Sequence, residues 1–550
     1  MSRACSGVWE IDRAEVLAIV ERTRSFLGPE EYATLQAFTD LNLWLLSELE
    51  AKETTLAKLR REVFGPSTEK TKAVFPDAEG GEPPPGPSGD DVGARAGAKT
   101  RKDDKPKPRG HGRHGADDYP GAIRVYTPHE TLQHGSPCPQ CHRGKTYRVK
   151  RPAVRIRVTG GAPLQATLFE QERLRCNTCG EVFTACAPPE AEGERYDPRA
   201  KGMIAMLRYG TGLPFHRLDR LQSRLGIPLA SSTQWQVVES AADDIFVAYE
   251  ELIRQCAGAQ LFHNDDTRMP VLSLTGKRRS REAPGDDPPE RTGMFTTGIV
   301  AVGQDFQAVI FCTGRRHAGE NLQAVLDRRG AELGRPMLMC DGLDRNLPAT
   351  TQVELVNCLS HGRRYYVDVA DNFPDECRHV LTELGKVFHH DAVARRDGMT
   401  DAQRLDYHRK HSGPVMTKLE TWMEERIEER TVEPNSGLGK AFAYMRKRWN
   451  TLTRFLEVPG APLTNNIVER ALKRAIVHRK NSLFYRSLKG ARVGDAFMSL
   501  IYTAEMAGVD PFLYLVALQE HRLEVARQPK AWMPWNYKAT LASGRERASP

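Results

Sequence analysis

The stretch "AQLFHNDDTRMPVLSL", residues 259–274, reads as a β-strand with two adjacent acids, Asp265 and Asp266, near its middle. After a Pro/Gly/Asp-rich loop at 282–291, "RTGMFTTGIVAVG" and "FQAVIFCTG" read as two more strands. "AGENLQAVLDRRG" has the spacing of a helix. "RPMLMCDGLDRN" is a buried strand ending at Asp341, and "QVELVNCLSHGRRYYVDVA" is expected to be a further strand. Three strands, a helix and two strands predict an α/β layer with an open mixed sheet.

Downstream, residues 373–456 are polar and helical, with segments such as "KLETWMEERIEER" and "MRKRWNTLTRFLE". "LTNNIVERALKRAIVHRKNSLFYRSLKGAR" (463–492) then holds eight Lys or Arg residues, one His and a single acid, Glu469. As a helix from Asn466, it carries Glu469, Lys473, Ile476 and Lys480 on one face. Val468, Leu472 and Ala475 lie beside them and can pack on the sheet. An apolar helical segment, "DAFMSLIYTAEMAGVDPFLYLVALQEH", follows, and then a polar tail.

Upstream, Leu35, Asn42, Leu49, Leu56 and Val63 fall at one heptad position, and Phe38, Leu45, Lys52 and Leu59 at the other. This is either a short coiled coil or a helix packed on its own protein. Residues 66–118 have almost no large apolar residues and are expected to be a disordered linker with a basic end. "CPQC" (Cys138, Cys141) and "CNTC" (Cys176, Cys179) then supply two thiolate pairs flanking a β-rich segment with a Gly-Gly turn. That is the pattern of a ribbon around a structural, four-thiolate zinc. Residues 196–257 read as helices broken at Gly210–Pro214 and Gly226–Pro228. A helix capped by Ser231, Ser232 or Thr233 and starting near Gln234 has the layout of a helix-turn-helix-like DNA-binding segment.

At 550 residues several domains are expected. The net charge of +8 leans toward a polyanionic partner. "MSRACSGVWEIDRAEV" carries acids where a signal needs an apolar run, and no apolar run suffices to span a bilayer. A cytoplasmic protein without a membrane partner is the expectation.

Cleaving or joining a phosphodiester generally needs two hard cations held by carboxylates. Asp265, Asp341 and Glu469 suit that role. Each also has a plainer reading. Asp266 is a solvated residue or a partner of Thr267, Asp341 a turn residue before Gly342, and Glu469 an i,i+4 partner of Lys473. In "CLSHGRRYY", Cys358 suits the core, while His361, Arg363 and Arg364 can sit beside the acids and meet phosphates. Lys473, Arg474, Arg479 and Lys480 can hold a DNA backbone.

The segments "HNDDTRMPVL", "MCDGLDRN", "CLSHGRRYY", "LGKAFAYMRKRWNTLTRFLE" and "LTNNIVERALKRAIVHRKNSLFY" resemble the insertion-sequence-66 family of bacterial DDE transposases. The order of the flanking parts is similar too. The resemblance implies a multidomain α+β protein with a ribonuclease-H-like catalytic domain at 258–495, interrupted by a helical insertion at about 372–456. Before it come a leucine-zipper-like helix (1–65), the linker (66–118), a zinc-binding segment (119–195) and the helix-turn-helix-like segment (196–257). C-terminal helices (496–528) and a flexible tail (529–550) follow. The family's acidic triad maps onto Asp265, Asp341 and Glu469, which would hold Mg²⁺ or Mn²⁺. Where relatives usually have "DET", this chain has Asp265–Asp266–Thr267. Either Asp can be the ligand, and Asp265, the first acid of the motif, is preferred. The implied partners are double-stranded DNA (the element's terminal inverted repeats and the target), further copies of the chain, and accessory proteins. Two rivals remain: a zinc-containing DNA-binding regulator with an inactive sheet domain, and a structure-specific nuclease.

Overall fold

The computed structural model describes residues 13–40, 131–147, 161–175, 182–275 and 291–548. The chain divides into two compact units. The smaller comprises residues 87–192 with 218–230, and the larger 1–86, 193–217 and 231–550. The linker at 66–118 lies outside the described residues, as do heptad positions Asn42, Leu45, Leu49, Lys52, Leu56, Leu59 and Val63. Leu35 and Phe38 fall on a helical stretch at 29–40 that follows α1 (Arg13–Thr23).

In the smaller unit, β1 (Arg173–Arg175) and β2 (Val182–Thr184) form an antiparallel hairpin. Its connection, 176–181, carries the second Cys pair and lies outside the described residues. Chain breaks fall at the expected glycines and prolines around α2 (Pro198–Ala205) and α4 (Ser231–Cys256), both of the larger unit, and α3 (Phe215–Arg224), most of which is counted with the smaller. The α4 helix starts at Ser231, ahead of the expected Gln234, and runs 26 residues. Val237, Val238, Ala241, Ala242, Ile245, Ala248 and Leu252 form its buried stripe, and the opposite face carries its exposed residues.

The larger unit is built on a five-stranded mixed sheet. Its strands are β3 (Leu261–Arg268), β4 (Phe295–Val302), β5 (Gln307–Gly314), β6 (Met337–Cys340) and β7 (Glu354–Asn357), in the order β5-β4-β3-β6-β7. The first three pair antiparallel, while β6 joins β3, and β7 joins β6, in parallel. The long connection a parallel pair requires is filled between β5 and β6 by α5 (Ala318–Leu326).

Beyond β7 the expected continuous strand fails. Asn357 ends it, and α6 (Leu359–Asp368) follows at once. Leu359, Gly362, Arg363, Tyr366 and Val367 are buried at i, i+3, i+4, i+7 and i+8, the period of a helix rather than of a strand. The helical insertion is α7 (Pro374–Arg396), α8 (Asp401–His411), α9 (Gly413–Glu428), α10 (Gly437–Lys447) and the short α11 (Trp449–Leu452). Its apolar stripes share one core with Met339 and Val356 of the sheet.

Two helices then return to the sheet. From α12 (Asn466–Ser482), Val468, Leu472 and Ala475 are buried. A Cβ at Gly298 of β4 would stand 3.1 Å from the Val468 and Leu472 side chains, so glycine lets the helix lie this close. The second, α13 (Leu488–Met506), caps edge strand β5. Asp495, Ser499 and Thr503, one turn apart, accept the N–H groups of Thr313, Phe311 and Val309 at 2.7, 2.9 and 3.1 Å. An edge that could pair with another chain is thereby closed. This helix crosses the boundary expected at 495. After α14 (Pro511–Glu520) and α15 (Arg522–Arg527), the segment expected to be a flexible tail is helical at Pro529–Trp532 and in α16 (Tyr537–Ala548), with Trp532, Met533 and Tyr537 buried. No helix among the described residues is long and apolar enough to cross a membrane.

Candidate active site

Strand alternation sends neighbouring side chains to opposite faces, and this separates the two acids of β3. Asp266 is neither solvated nor a partner of Thr267. Its side chain is 1% exposed and accepts from Thr297 Oγ1 (2.7 Å), His317 Nδ1 (3.2 Å) and the Ala318 N–H at the start of α5 (3.2 Å). That carboxylate is fully engaged in joining α5 to the sheet.

Asp265 faces the other side. The parallel register pairs His263 with Met339, and continued two residues it sets Asp265 level with Asp341 at the end of β6. Burial pushes the Asp265 carboxyl up to about 7, assisted by the charges of Asp341, Asp266 and Glu469 and opposed by the Asp266 N–H that it accepts. The charges of Asp341, which follows β6, and of Glu469 on α12 thus both act on Asp265.

An amide network holds them. Asp341 Oδ1 accepts from Asn346 Nδ2 at 2.7 Å and from the Leu343 N–H at 3.0 Å. The Asn346 carbonyl in turn accepts from Asn264 Nδ2 at 2.7 Å. Asn465, just before α12, is wholly buried. Its Nδ2 donates to the Asn264 carbonyl and its Oδ1 meets His263 Nδ1, both at 3.0 Å. Its N–H donates to Cys358 Sγ at 3.2 Å, consistent with the core position expected of that cysteine. Asn465 thus precedes the helix, as its sequence position suggested, but its side chain does not cap it. It ties the turn before Glu469 to the residue before Asp265. Burial pushes His263 down to about 4, so the neutral ring carries its proton on Nδ1 toward the Asn465 oxygen. Asn264, Asn346, Asn465 and His263 are the residues sequence reasoning missed, and the pair Asn465–Asn466 was the one signal available.

Around Asp341 the turn is fixed from the insertion. Tyr444 Oη donates to the Asp341 carbonyl at 2.8 Å and Arg448 Nη2 to the Gly342 carbonyl at 3.0 Å. Gly342 sits at φ +82°, and a Cβ there would stand 2.5 Å from Arg448 Nε.

The proposed phosphate-binding residues divide. Lys473 and Lys480 are exposed on α12, and Arg364 is exposed on α6. His361, one turn before Tyr365 on α6, places Nε2 3.8 Å from Glu469 Oε1. Arg474 turns inward: it donates to the Gly210 carbonyl at 3.0 Å, pairs with Glu505 and lies over the Tyr502 ring. Arg479 binds Thr267 Oγ1 at 3.2 Å and the Arg268 carbonyl. These two arginines lock α12 to its neighbours.

Asp265, Asp341 and Glu469 offer hard oxygen donors, the chemistry that suits Mg²⁺ or Mn²⁺. Among the described residues, no three His, Cys, Asp or Glu side chains stand grouped to hold a metal ion as they are. In the smaller unit, a turn brings Cys138 and Cys141 together. The Cys138 N–H donates to the Gly144 carbonyl at 2.7 Å, and the His142 N–H to the Cys138 carbonyl at 2.9 Å. The N–H groups of Arg143 and Gly144 and the Cys138 thiol lower the Cys141 thiol pKa. Cys176 and Cys179 lie outside the described residues.

Comparison with known proteins places these residues in context. The family model described as "Transposase IS66 family" matches residues 193–493, more than half of the chain and all three acids. Three proteins of Sinorhizobium fredii (strain NBRC 101917 / NGR234) are similar. The uncharacterized protein y4jD is 24% identical over 72% of this chain and 78% of its own length. The uncharacterized proteins y4qI and y4hP are 25% and 24% identical, over 62% and 68% of each chain respectively.

Proposed function

From the fact that this chain belongs to the IS66 transposase family, we propose that it cleaves and joins DNA strands through Asp265, Asp341 and Glu469. The observation that carries the reading is the parallel pairing of β3, which carries Asp265, with β6, which Asp341 directly follows, together with the bond from Asn465, just before the Glu469 helix, to the Asn264 carbonyl. The sheet order supports a ribonuclease-H-like domain: three antiparallel strands, two parallel ones, and a helical insertion before the helix that bears the third acid.

The three carboxylates would hold Mg²⁺ or Mn²⁺, which supplies Lewis-acid activation of the attacking oxygen and charge neutralisation at the phosphate. The chain's own groups do the rest. The Asn264–Asn346–Asn465 network fixes the acids' spacing. Lys473 and Lys480 draw the DNA backbone along α12. His361 sits beside Glu469 and can donate to a phosphate oxygen. Closing the site requires Glu469, 32% exposed at its side chain, to approach the two aspartates. The reaction begins with a water that releases a 3′-hydroxyl at the element end, and that hydroxyl then attacks target DNA in line, without a covalent protein intermediate. Element ends and target would be the DNA partners, acted on by an assembly of copies, with accessory proteins from the same element. Cys138, Cys141, Cys176 and Cys179 would hold a structural zinc, supported by the N–H groups turned toward Cys141. One face of α4 is buried, so any DNA contact it makes would come from its exposed positions.

The test is end cleavage of the element's DNA with Mg²⁺. Glu469→Gln should abolish cleavage and leave duplex binding intact. Cleavage that survives the substitution would remove Glu469 from the site, and a wild-type chain that binds DNA without cutting it would point to the regulator.

A further inference from the structure

Leu483 closes α12 in a backbone conformation that bulky residues avoid, φ 68° and ψ −41°. The Phe484 N–H donates to the Ser482 carbonyl at 2.8 Å, two residues back. This is a γ-turn of the strained hand. Such strain persists only where the surroundings over-determine it, and here they do. Asn481 Nδ2 donates to the Gly212 carbonyl at 3.2 Å, and Arg208 donates to Ser482. On the other side Tyr485 is buried, with its N–H and carbonyl bonded to Pro270 and Leu272 at 2.9 Å.

What the turn presents is apolar. Leu483 is 66% exposed and Phe484 40%, with Val477 and Leu272 also at the surface. Exposed cations stand close by: Lys480 and Arg486 flank the turn in the chain, and Arg268 lies on the segment bonded to Arg479. None of the three has a carboxylate partner among the described residues. An apolar tip flanked by exposed cations suits a polyanion with an apolar interior better than it suits an apolar protein face.

We propose that Leu483 and Phe484 form a wedge that enters between stacked base pairs of duplex DNA lying along α12. This rests on the transposase reading. It adds a second point of contact, which kinks the duplex at a set distance from the cut. The rise of 1.5 Å per residue puts Leu483 about 21 Å along the helix from Glu469. That is about six base pairs at ~3.4 Å per step.

The experiment uses the full chain carrying Glu469→Gln, without divalent cation. Short duplexes from the element's ends carry 2-aminopurine at each position in turn, and the wild-type chain maps the cleaved phosphate. The wedge predicts a fluorescence rise confined to steps about six base pairs from that phosphate. Adding Leu483→Ala should erase the rise and weaken binding at least roughly 5-fold, the loss expected on truncating an interface anchor. An abasic site at the same step, already unstacked, should recover most of that loss. Leu483→Gly should erase the fluorescence signal while raising Tm, since glycine accepts the positive φ, which separates loss of the wedge from loss of fold.

No local rise, or unchanged binding by Leu483→Ala, overturns the proposal. So does a fall in the free protein's sedimentation coefficient on Leu483→Ala with the fluorescence unchanged, because the tip then meets a second copy. A chain that does not bind these duplexes at all sinks both this proposal and the transposase reading. Absence of cleavage in wild type with the local rise intact sinks only the catalytic reading.

Discussion

Replacing Asn465 by alanine tests whether the acids are held by the amide network. The substitution deletes the donor to the Asn264 carbonyl and the acceptor for His263 Nδ1, both in a wholly buried setting. A buried polar group left unpaired costs ~1–3 kcal/mol, so two orphaned groups cost roughly 2–6 kcal/mol. The Asn465 N–H keeps its bond to Cys358 Sγ, which holds the backbone in place and favours the lower half, about 3 kcal/mol. At ~2–4 °C per kcal/mol for a domain of this size class, the sheet domain should melt roughly 6–12 °C lower. Thermal unfolding followed by near-ultraviolet circular dichroism reads this, with end cleavage measured well below the new midpoint. Cleavage should fall with little change in duplex affinity, because Lys473 and Lys480 are untouched. A midpoint within about 2 °C of wild type, or cleavage at the wild-type rate, would refute the claim that Asn465 sets the position of Glu469.

Two further outcomes follow from buried groups. Asp495 is buried beneath β5, and burial pushes its carboxyl up to about 7, against the Thr313 hydroxyl and N–H that it accepts. With the folded value above the unfolded one, the native state keeps the proton longer, so this group makes stability fall as pH rises from about 4 to about 7. Asp495→Asn should flatten that slope in urea titrations across the window, and an unchanged slope would assign it elsewhere. Gly342→Ala forces a Cβ against Arg448 at positive φ, and should cost at least ~1 kcal/mol. It should also depress cleavage through Asp341, with a wild-type urea midpoint as the refuting result.

The residues differ in how far their roles can be read without the fold. The short runs around Asp265 and before Asp341, and the stripe of Val468, Leu472 and Ala475 behind Glu469, are local patterns. They are enough for strand, strand and helix, while the choice of these three acids came from the family resemblance. The strand expected through "CLSHGRRYY" failed because its apolar spacing, Leu359, Tyr366 and Val367, suits a helix once Cys358 and Asn357 end the sheet. What no local pattern contains is the use of each polar group. Asp265 and Asp266 are the same residue type one position apart. Only the packing of α5 against β3 consumes the second and leaves the first facing Asp341. Arg474 and Arg479 look like Lys473 and Lys480 in sequence. They are internal because Glu505, Gly210 and Thr267 lie within reach of them and not of the lysines. Asn465 reads as a helix-start residue, yet its amide bonds a carbonyl 201 positions away. Hydrophobic period is a property of neighbours along the chain. Hydrogen-bond partnership in a mixed sheet is a property of neighbours across it, and only the tertiary structure brings those together.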